Sequence, residues 1–290
     1  MKSIVISGVS SGIGYATANE FLRQGFQVFG SVRQPADQQR LQNEFADRFT
    51  ALLFDVTDHK SIEAAAGQIA EKLGNRRLDG LINNAGIAVS GPLMHLSVDE
   101  LRRQMEVNLI GLLKITQLFL PLLGTDPHRT GQTGRIINIS SVSGRLALPF
   151  VGAYAASKYA LEGLSDSLRR ELMLYGIDVI LIEPGNVGTP IWDKVPDLKQ
   201  YAQSRYYRMM QKVVTRLQES KSSMLPNSFI AEKIHHALTV KKPKTRYVLV
   251  KDKFRNFTLP YLLPDRWLDH MVYKVLMKLD DEKGNGDRNA

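Results

Sequence analysis

Tyr154 and Lys158 stand four residues apart in Tyr154-Ala155-Ala156-Ser157-Lys158. They open a run in which Leu161, Leu164, Leu168 and Leu172 recur at helical spacing. Four residues apart on a helix means one face, so the phenol and the ammonium can share a site. An ammonium beside a phenol favours the phenolate, which would bring the tyrosine pKa down from about 10 and suit Tyr154 to acid/base work. Ser141 closes the apolar run Arg135-Ile136-Ile137-Asn138-Ile139, read as a buried strand, and its hydroxyl is placed to hydrogen-bond a substrate oxygen. A tyrosine and a lysine at this spacing also open many ordinary helices, so the surrounding elements must decide.

Those elements alternate. Ile4-Val5-Ile6 runs into Ser7-Gly8-Val9-Ser10-Ser11-Gly12-Ile13-Gly14 and then a helical pattern through Ala18, Phe21 and Leu22. Strand, glycine turn and helix start together make a phosphate cradle: glycine lets the backbone approach, and the helix end offers free N–H groups. The Gly-x3-Gly-x-Gly spacing differs from the Gly-x-Gly-x2-Gly of long-chain dinucleotide folds. A second strand, 27–32, ends at Arg33 with no acid there; Asp37 follows Pro35 in the next helix. An acid at that place suits a ribose hydroxyl, an arginine a 2′-phosphate. Further strands are expected at 51–56, 78–82, 135–139, 176–182 and 247–250, with helices between them. Thr57 or Asp58 caps one helix and Ser97-Val98-Asp99-Glu100 forms a capping box for another. Asn108 is a lone amide among apolar neighbours of that helix. The polar loop 125–134 enters a strand at its amino end, away from any site at the carboxyl ends. Alternation of this kind argues for one α/β doubly wound parallel sheet covered on both faces.

The chain has 290 residues, 43% hydrophobic and 23% charged, which suits a globular protein with a sizeable core. It has no cysteine, so disulfides and thiolate chemistry are excluded. The net charge of +9 admits nucleic acid, anionic membrane or anionic ligands, but no basic run is interleaved with stacking aromatics, and no nucleic-acid partner is expected. The N-terminus enters a strand at once, so no leader is expected, and no apolar run is read as reaching the ~20 residues of a membrane span. A cytoplasmic location follows, with peripheral membrane contact as an added option.

With these pieces placed, the chain resembles the short-chain dehydrogenase/reductase family from residue 4 to 189, and more loosely beyond. The resemblance rests on Ser7-Gly8-x3-Gly12-Ile13-Gly14, Asp55-Val56, Asn83-Asn84-Ala85-Gly86, Asn108, Ser141, Tyr154-x3-Lys158 and Pro184-Gly185. Within the family, 154–172 and the tail from Tyr261-Leu262-Leu263-Pro264 are similar to the retinol and 17β-hydroxysteroid dehydrogenase branch, which also holds 3-hydroxybutyrate dehydrogenase. The resemblance implies a Rossmann-like sheet of about seven strands, a nicotinamide cofactor, no metal, and an Asn108–Ser141–Tyr154–Lys158 tetrad. Tyr154 would move the proton, Lys158 would lower its pKa and bind the cofactor ribose, Ser141 would hold the substrate oxygen and Asn108 a water. Gly8, Gly12 and Gly14 would let the pyrophosphate approach, Ser11 and Arg33 would bind a 2′-phosphate, and Asp55 would meet the adenine amino group, with Ser10, Ile13 and Val56 as further cofactor-binding positions. Asn83 would meet the adenosine ribose region, and Val187 and Thr189 the carboxamide, with Ala85, Gly86, Pro184 and Gly185 as further cofactor-binding positions. NADP(H) is expected over NAD(H), which stays open, with a small apolar alcohol or carbonyl as substrate and a homodimer or homotetramer built on helices 108–122 and 154–172. Residues 1–256 would form the catalytic domain, with a substrate segment 190–226 that matches the family poorly. Residues 257–280 would form an amphipathic helical extension covering the pocket, a partner subunit or a membrane, and 281–290 a disordered tail. The competing readings are a non-catalytic NADP(H) sensor and an NAD-dependent dehydrogenase of small hydroxy acids.

Overall fold

The computed structural model describes residues 1–192, 198–219 and 224–281. Seven short strands form one sheet: β1 (Ser3–Ile6), β2 (Gln27–Val32), β3 (Phe49–Leu53), β4 (Gly80–Asn83), β5 (Arg135–Ile139), β6 (Val179–Pro184) and β7 (Arg246–Leu249). Their order is β3-β2-β1-β4-β5-β6-β7, and every pair is parallel. The order reverses between β1 and β4, and that switch point opens a crevice at the strands' carboxyl ends. Strands buried on both faces read as unbroken apolar runs, which is why they were legible. β6 extends further than its apolar run, through Glu183 and Pro184, because β7 pairs with both.

Helices cover both faces. On one lie α1 (Gly12–Arg23), α2 (Pro35–Phe45) and α8 (Asn227–Thr239), packing Phe21, Leu41, Ile230 and Ile234 against Ile4, Ile6 and Val28. On the other lie α3 (His59–Leu73), α5 (Gly111–Leu120) and α6 (Gly152–Leu172), packing Ile69, Phe119 and Leu168 against Val5, Leu81 and Ile136. α4 (Val98–Met105) leads into α5 through a wide π turn at Glu106–Ile110. The caps are Asp58, accepting from Lys60 N at 3.1 Å, and Ser97, accepting from Glu100 N at 3.2 Å. The loop after α5 closes on the amino end of the sheet, where Thr130 pairs with Asn75 and Arg77.

One expectation needs correction. The helix Val98–Thr125 has an 18-residue window of mean hydropathy 1.6, long and apolar enough by length and composition to cross a membrane. Counting unbroken apolar residues misses this because a window average tolerates single polar groups; here Leu112, Ile115, Phe119 and Leu122 are buried in the core. Around α5 and α6 the exposed large apolar residues are Ile110, in the π turn before α5, and Tyr159 on α6.

After β7 the chain forms a π turn at Phe254–Thr258, α9 (Leu259–Leu262) and α10 (Asp265–Asp281). α10 packs on α7 (Tyr207–Glu219), which belongs to the substrate segment. The expected disordered tail, apart from Asp281, and parts of the substrate segment, 193–197 and 220–223, lie outside the described residues.

Candidate active site

The glycine turn between β1 and α1 shapes one end of the crevice. Gly8 and Gly12 have φ of 74° and 60°, the left-handed region where a side chain is strained. Gly14 serves differently: a Cβ there would run into the Gly8 carbonyl oxygen and the Asn84 amide. It lets α1 seat against the turn without itself lining the cavity. Asn84 braces the turn, donating from Nδ2 to the carbonyls of Ser7 at 3.0 Å and Gly8 at 2.8 Å, while Gly8 N donates to Ser31 Oγ at 3.0 Å.

A cavity of about 650 Å³ runs from this turn across the carboxyl ends of the strands. Of the residues expected at a site, Gly8, Ser10, Ser11, Gly12, Ile13, Arg33, Asp55, Val56, Ala85 and Gly86 line it. So do Ser141, Tyr154, Lys158, Pro184, Gly185, Val187 and Thr189. Gly14, Asn83 and Asn108 do not. Asn83 is the last residue of β4, where side chains alternate between faces; its Nδ2 donates to Thr116 Oγ1 at 3.0 Å and Asn138 Oδ1 at 2.9 Å, inside the helix layer. Its neighbour Asn84 faces the cavity instead. Asp37 accepts from Arg40 at 2.9 Å within the first turns of α2. Arg33 is thus the charged side chain at the β2 end of the cavity.

The chemical end is built by β5 and α6. Ser141 follows β5 and accepts from Ser143 N at 3.1 Å, which fixes the turn that carries its hydroxyl. The Tyr154 hydroxyl is hydrogen-bonded to Ser141. One turn on, Lys158 lies over the Tyr154 ring, 5.7 Å from its centroid, and donates from Nζ to the Ile139 carbonyl at 2.7 Å. All three residues are buried. Burial raises the Tyr154 pKa against the pull of the Ser141 bond, and burial lowers Lys158 to about 8 against the charge of Glu162. The expected lowering of Tyr154 by its lysine is therefore reversed here: desolvation of the buried phenol outweighs the pull of the Ser141 hydrogen bond.

Asn108 sits in the π turn and touches backbone. Its Oδ1 accepts from Ile87 N at 2.9 Å, and its Nδ2 donates to Ile87 O at 3.0 Å and Ser157 Oγ at 3.1 Å. Gln104, one turn earlier, accepts from Val89 N at 2.7 Å and donates to Ile87 O at 2.8 Å. Together they clamp the cavity-lining segment 87–89 to α6. Sequence reasoning missed Gln104 and Ser157; the signal for Gln104 was its four-residue spacing from Asn108, and for Ser157 its place directly before Lys158.

Behind Lys158 lies a further group that the sequence did not disclose. Glu162 on α6, Glu183 on β6 and Arg246 on β7 converge, with Arg246 Nε 3.0 Å from Glu162 and 3.4 Å from Glu183, and its Nη2 2.9 Å from Asp166. Both Glu183 oxygens and Glu162 Oε1 are buried without hydrogen-bond partners. Burial, then the charge of Glu162, pushes Glu183 up to about 7; Arg145, Arg246 and Lys253 pull the other way.

The far wall holds Val89, Leu96, Ile191 and Tyr201, with His95 and Arg103 among the polar groups. His95 packs near the rings of Tyr201 and Tyr206, and of these three His95 and Tyr201 line the cavity.

A short chain dehydrogenase family profile matches residues 2–200. The "NADPH-dependent 3-dehydrocapnine reductase" of Ornithobacterium rhinotracheale is 40% identical over 97% of this chain and all of its own length. Retinol dehydrogenase 16 of Mus musculus is 33% identical over 96% of this chain and 89% of its own. Among solved structures, a short-chain dehydrogenase from Streptomyces avermitilis superposes with a TM-score of 0.71 at 28% identity, covering 96% of this chain and 94% of that one.

Proposed function

The chain belongs to the short-chain dehydrogenase/reductase family and is an NAD(P)-dependent oxidoreductase; on that premise we propose that it is an NADPH-dependent reductase of a ketone or aldehyde on an apolar, lipid-like substrate. The observation that carries the reading is the convergence of the Ser141 hydroxyl, the Tyr154 phenol and the Lys158 ammonium in one cavity with a glycine cradle at its other end.

A nicotinamide cofactor, when bound, supplies the hydride. The residues fit such a group: the backbone at Gly8 and Gly12 can approach a pyrophosphate beside the N-terminus of α1, and Asp55 and Val56 can flank the adenine. Arg33 favours a 2′-phosphate, because its fork matches phosphate oxygens and Asp37 is held by Arg40. Ser141 would hold the substrate carbonyl oxygen, and Tyr154 would give it a proton. The buried phenol stays protonated at neutral pH, which suits donation and hence reduction. Lys158 would bind ribose hydroxyls and stabilise the phenolate left behind. Asn108 acts by fixing the 87–89 wall. The apolar wall of Val89, Leu96, Ile191 and Tyr201 supports an apolar substrate, as do the names of the relatives.

The test is initial rates with NADPH and NADH against a panel of apolar ketones and aldehydes. NADPH is expected to give the higher kcat/KM. Arg33→Asp should lower it about tenfold to a hundredfold, the scale of a charged hydrogen bond of roughly 1.5–3 kcal/mol. An unchanged NADPH/NADH ratio in that variant would remove Arg33 from the cofactor site. Tight NADPH binding without turnover on any carbonyl would favour the sensor.

A further inference from the structure

The C-terminal helix carries two apolar stripes, and only one is covered. Leu268, Val272, Leu276 and Leu279 face inward, Leu279 being 2% exposed. This side is pinned: Lys212 donates to the Leu279 carbonyl at 2.6 Å, and Arg205 pairs with Asp280 at 3.3 Å. Trp267, Met271 and Val275, spaced four apart, form a separate ridge that is 67%, 54% and 55% exposed. Leu262 in α9, 71% exposed, and Phe254, 67%, continue the apolar surface in the preceding turns. Around them Lys251, Lys253, Arg255, Arg266, Lys274 and Lys278 outnumber Asp252, Asp265 and Asp269.

We propose that this outward face docks on an anionic lipid bilayer, the ridge entering the headgroup boundary and the surrounding cations meeting lipid charge. An amphipathic helix with aromatic and aliphatic residues on one side and lysines beside them suits a bilayer surface, and an indole such as Trp267 prefers the headgroup level. A second copy suits it less. A twofold contact would bring this net-positive patch against the same patch of the second copy. The cations divide by position. Lys241, Lys242 and Lys244 precede β7 at the amino end of the sheet, and Arg246 is held by Glu162 and Asp166, so none of these four serves the docking face. The docked face is tied to two segments that lead to the cavity: the Arg145 guanidinium, just past the Ser141 turn, lies 4.3 Å from the Tyr261 ring centroid, and Arg205 joins α10 to the segment that carries the cavity-lining Tyr201. Docking would thus set the cavity mouth against the lipid.

The test uses the full chain with phosphatidylcholine vesicles, with and without phosphatidylglycerol. Sedimentation with the anionic vesicles alone, reversed by salt, is expected. Lys274→Gln with Lys278→Gln should weaken it roughly thirtyfold, the factor for two cations at about 1 kcal/mol each. Trp267→Ser, Met271→Ser and Val275→Ser together should abolish it while leaving circular dichroism and turnover of a water-soluble carbonyl unchanged. Wild-type protein that stays in the supernatant at low salt overturns the proposal. So does a triple variant that still sediments, or a wild-type dimer that the triple variant converts to monomer, which would assign the ridge to a second copy. The two-lysine variant gives the reading on its own should the triple variant misfold.

Discussion

At the scale of single residues, Tyr154 carries the chemistry and Glu183 its most unusual surroundings. Tyr154→Phe removes one hydroxyl and keeps the ring that packs under Lys158; kcat should fall about 10²–10⁴-fold while NADPH binding, followed by cofactor fluorescence, stays near wild type. Wild-type kcat in that variant would take Tyr154 out of the reaction. Glu183 makes a statement about stability. Its pKa rises on folding from an ordinary 4.5 to about 7, so the folded state holds a proton that the unfolded state releases between those values. Stability is therefore greatest below the unfolded value and falls as pH rises toward 7, by up to roughly 3 kcal/mol. Burial is the main cause; Glu162 adds to it, and Arg145, Arg246 and Lys253 favour ionisation. Glu183→Gln should flatten the fall in Tm between pH 5 and pH 8. An equal fall in both proteins would mean that Glu183 is ionised throughout.

At the scale of elements, the β1–α1 turn shows how little room the fold leaves. Gly14→Ala forces a methyl onto the Gly8 carbonyl and the Asn84 amide, both fixed by further hydrogen bonds. The variant should lose NADPH affinity and a few degrees or more of Tm, as overpacking of about 1–3 kcal/mol predicts; calorimetry with and without NADPH reads both. The glycine pattern, the strand runs and the pair Tyr154/Lys158 were legible because each has a local cause: a backbone angle, a buried face, a helical repeat. Asn83 was not, since a side chain's choice of sheet face depends on where its strand begins and ends. Asn108 was recognised by position, yet its bonds to Ile87 and Ser157 need a contact 49 residues along the chain. The reversed shift of Tyr154 escaped for another reason: burial is a property of the assembled cavity, whereas the neighbouring lysine is visible in the sequence. The single apolar face read from the tail divides into two ridges once α7 occupies one of them.

At the scale of the whole molecule, pairing of two chains through α5 and α6 would draw on Ile110, Tyr159 and the exposed run Met173-Leu174-Tyr175 just past α6. Light scattering at micromolar concentration is expected to give twice the chain mass, and Leu174→Glu to reduce it to one; the mass of a single chain for the wild type would end that reading. Arg246, meanwhile, has a consequence for the order of synthesis. It arrives on the last strand to leave the ribosome, yet it neutralises carboxylates on α6 and β6 that were made some eighty and sixty residues earlier. Until it emerges, Glu162 and Glu183 lack this counter-charge beside Lys158, and Asp166 has Arg169 of its own helix, at 3.2 Å, in its place. A nascent chain halted before β7 is therefore expected to be more protease-sensitive around α6 than the full chain, and equal protection of the two would mean that α6 packs without Arg246.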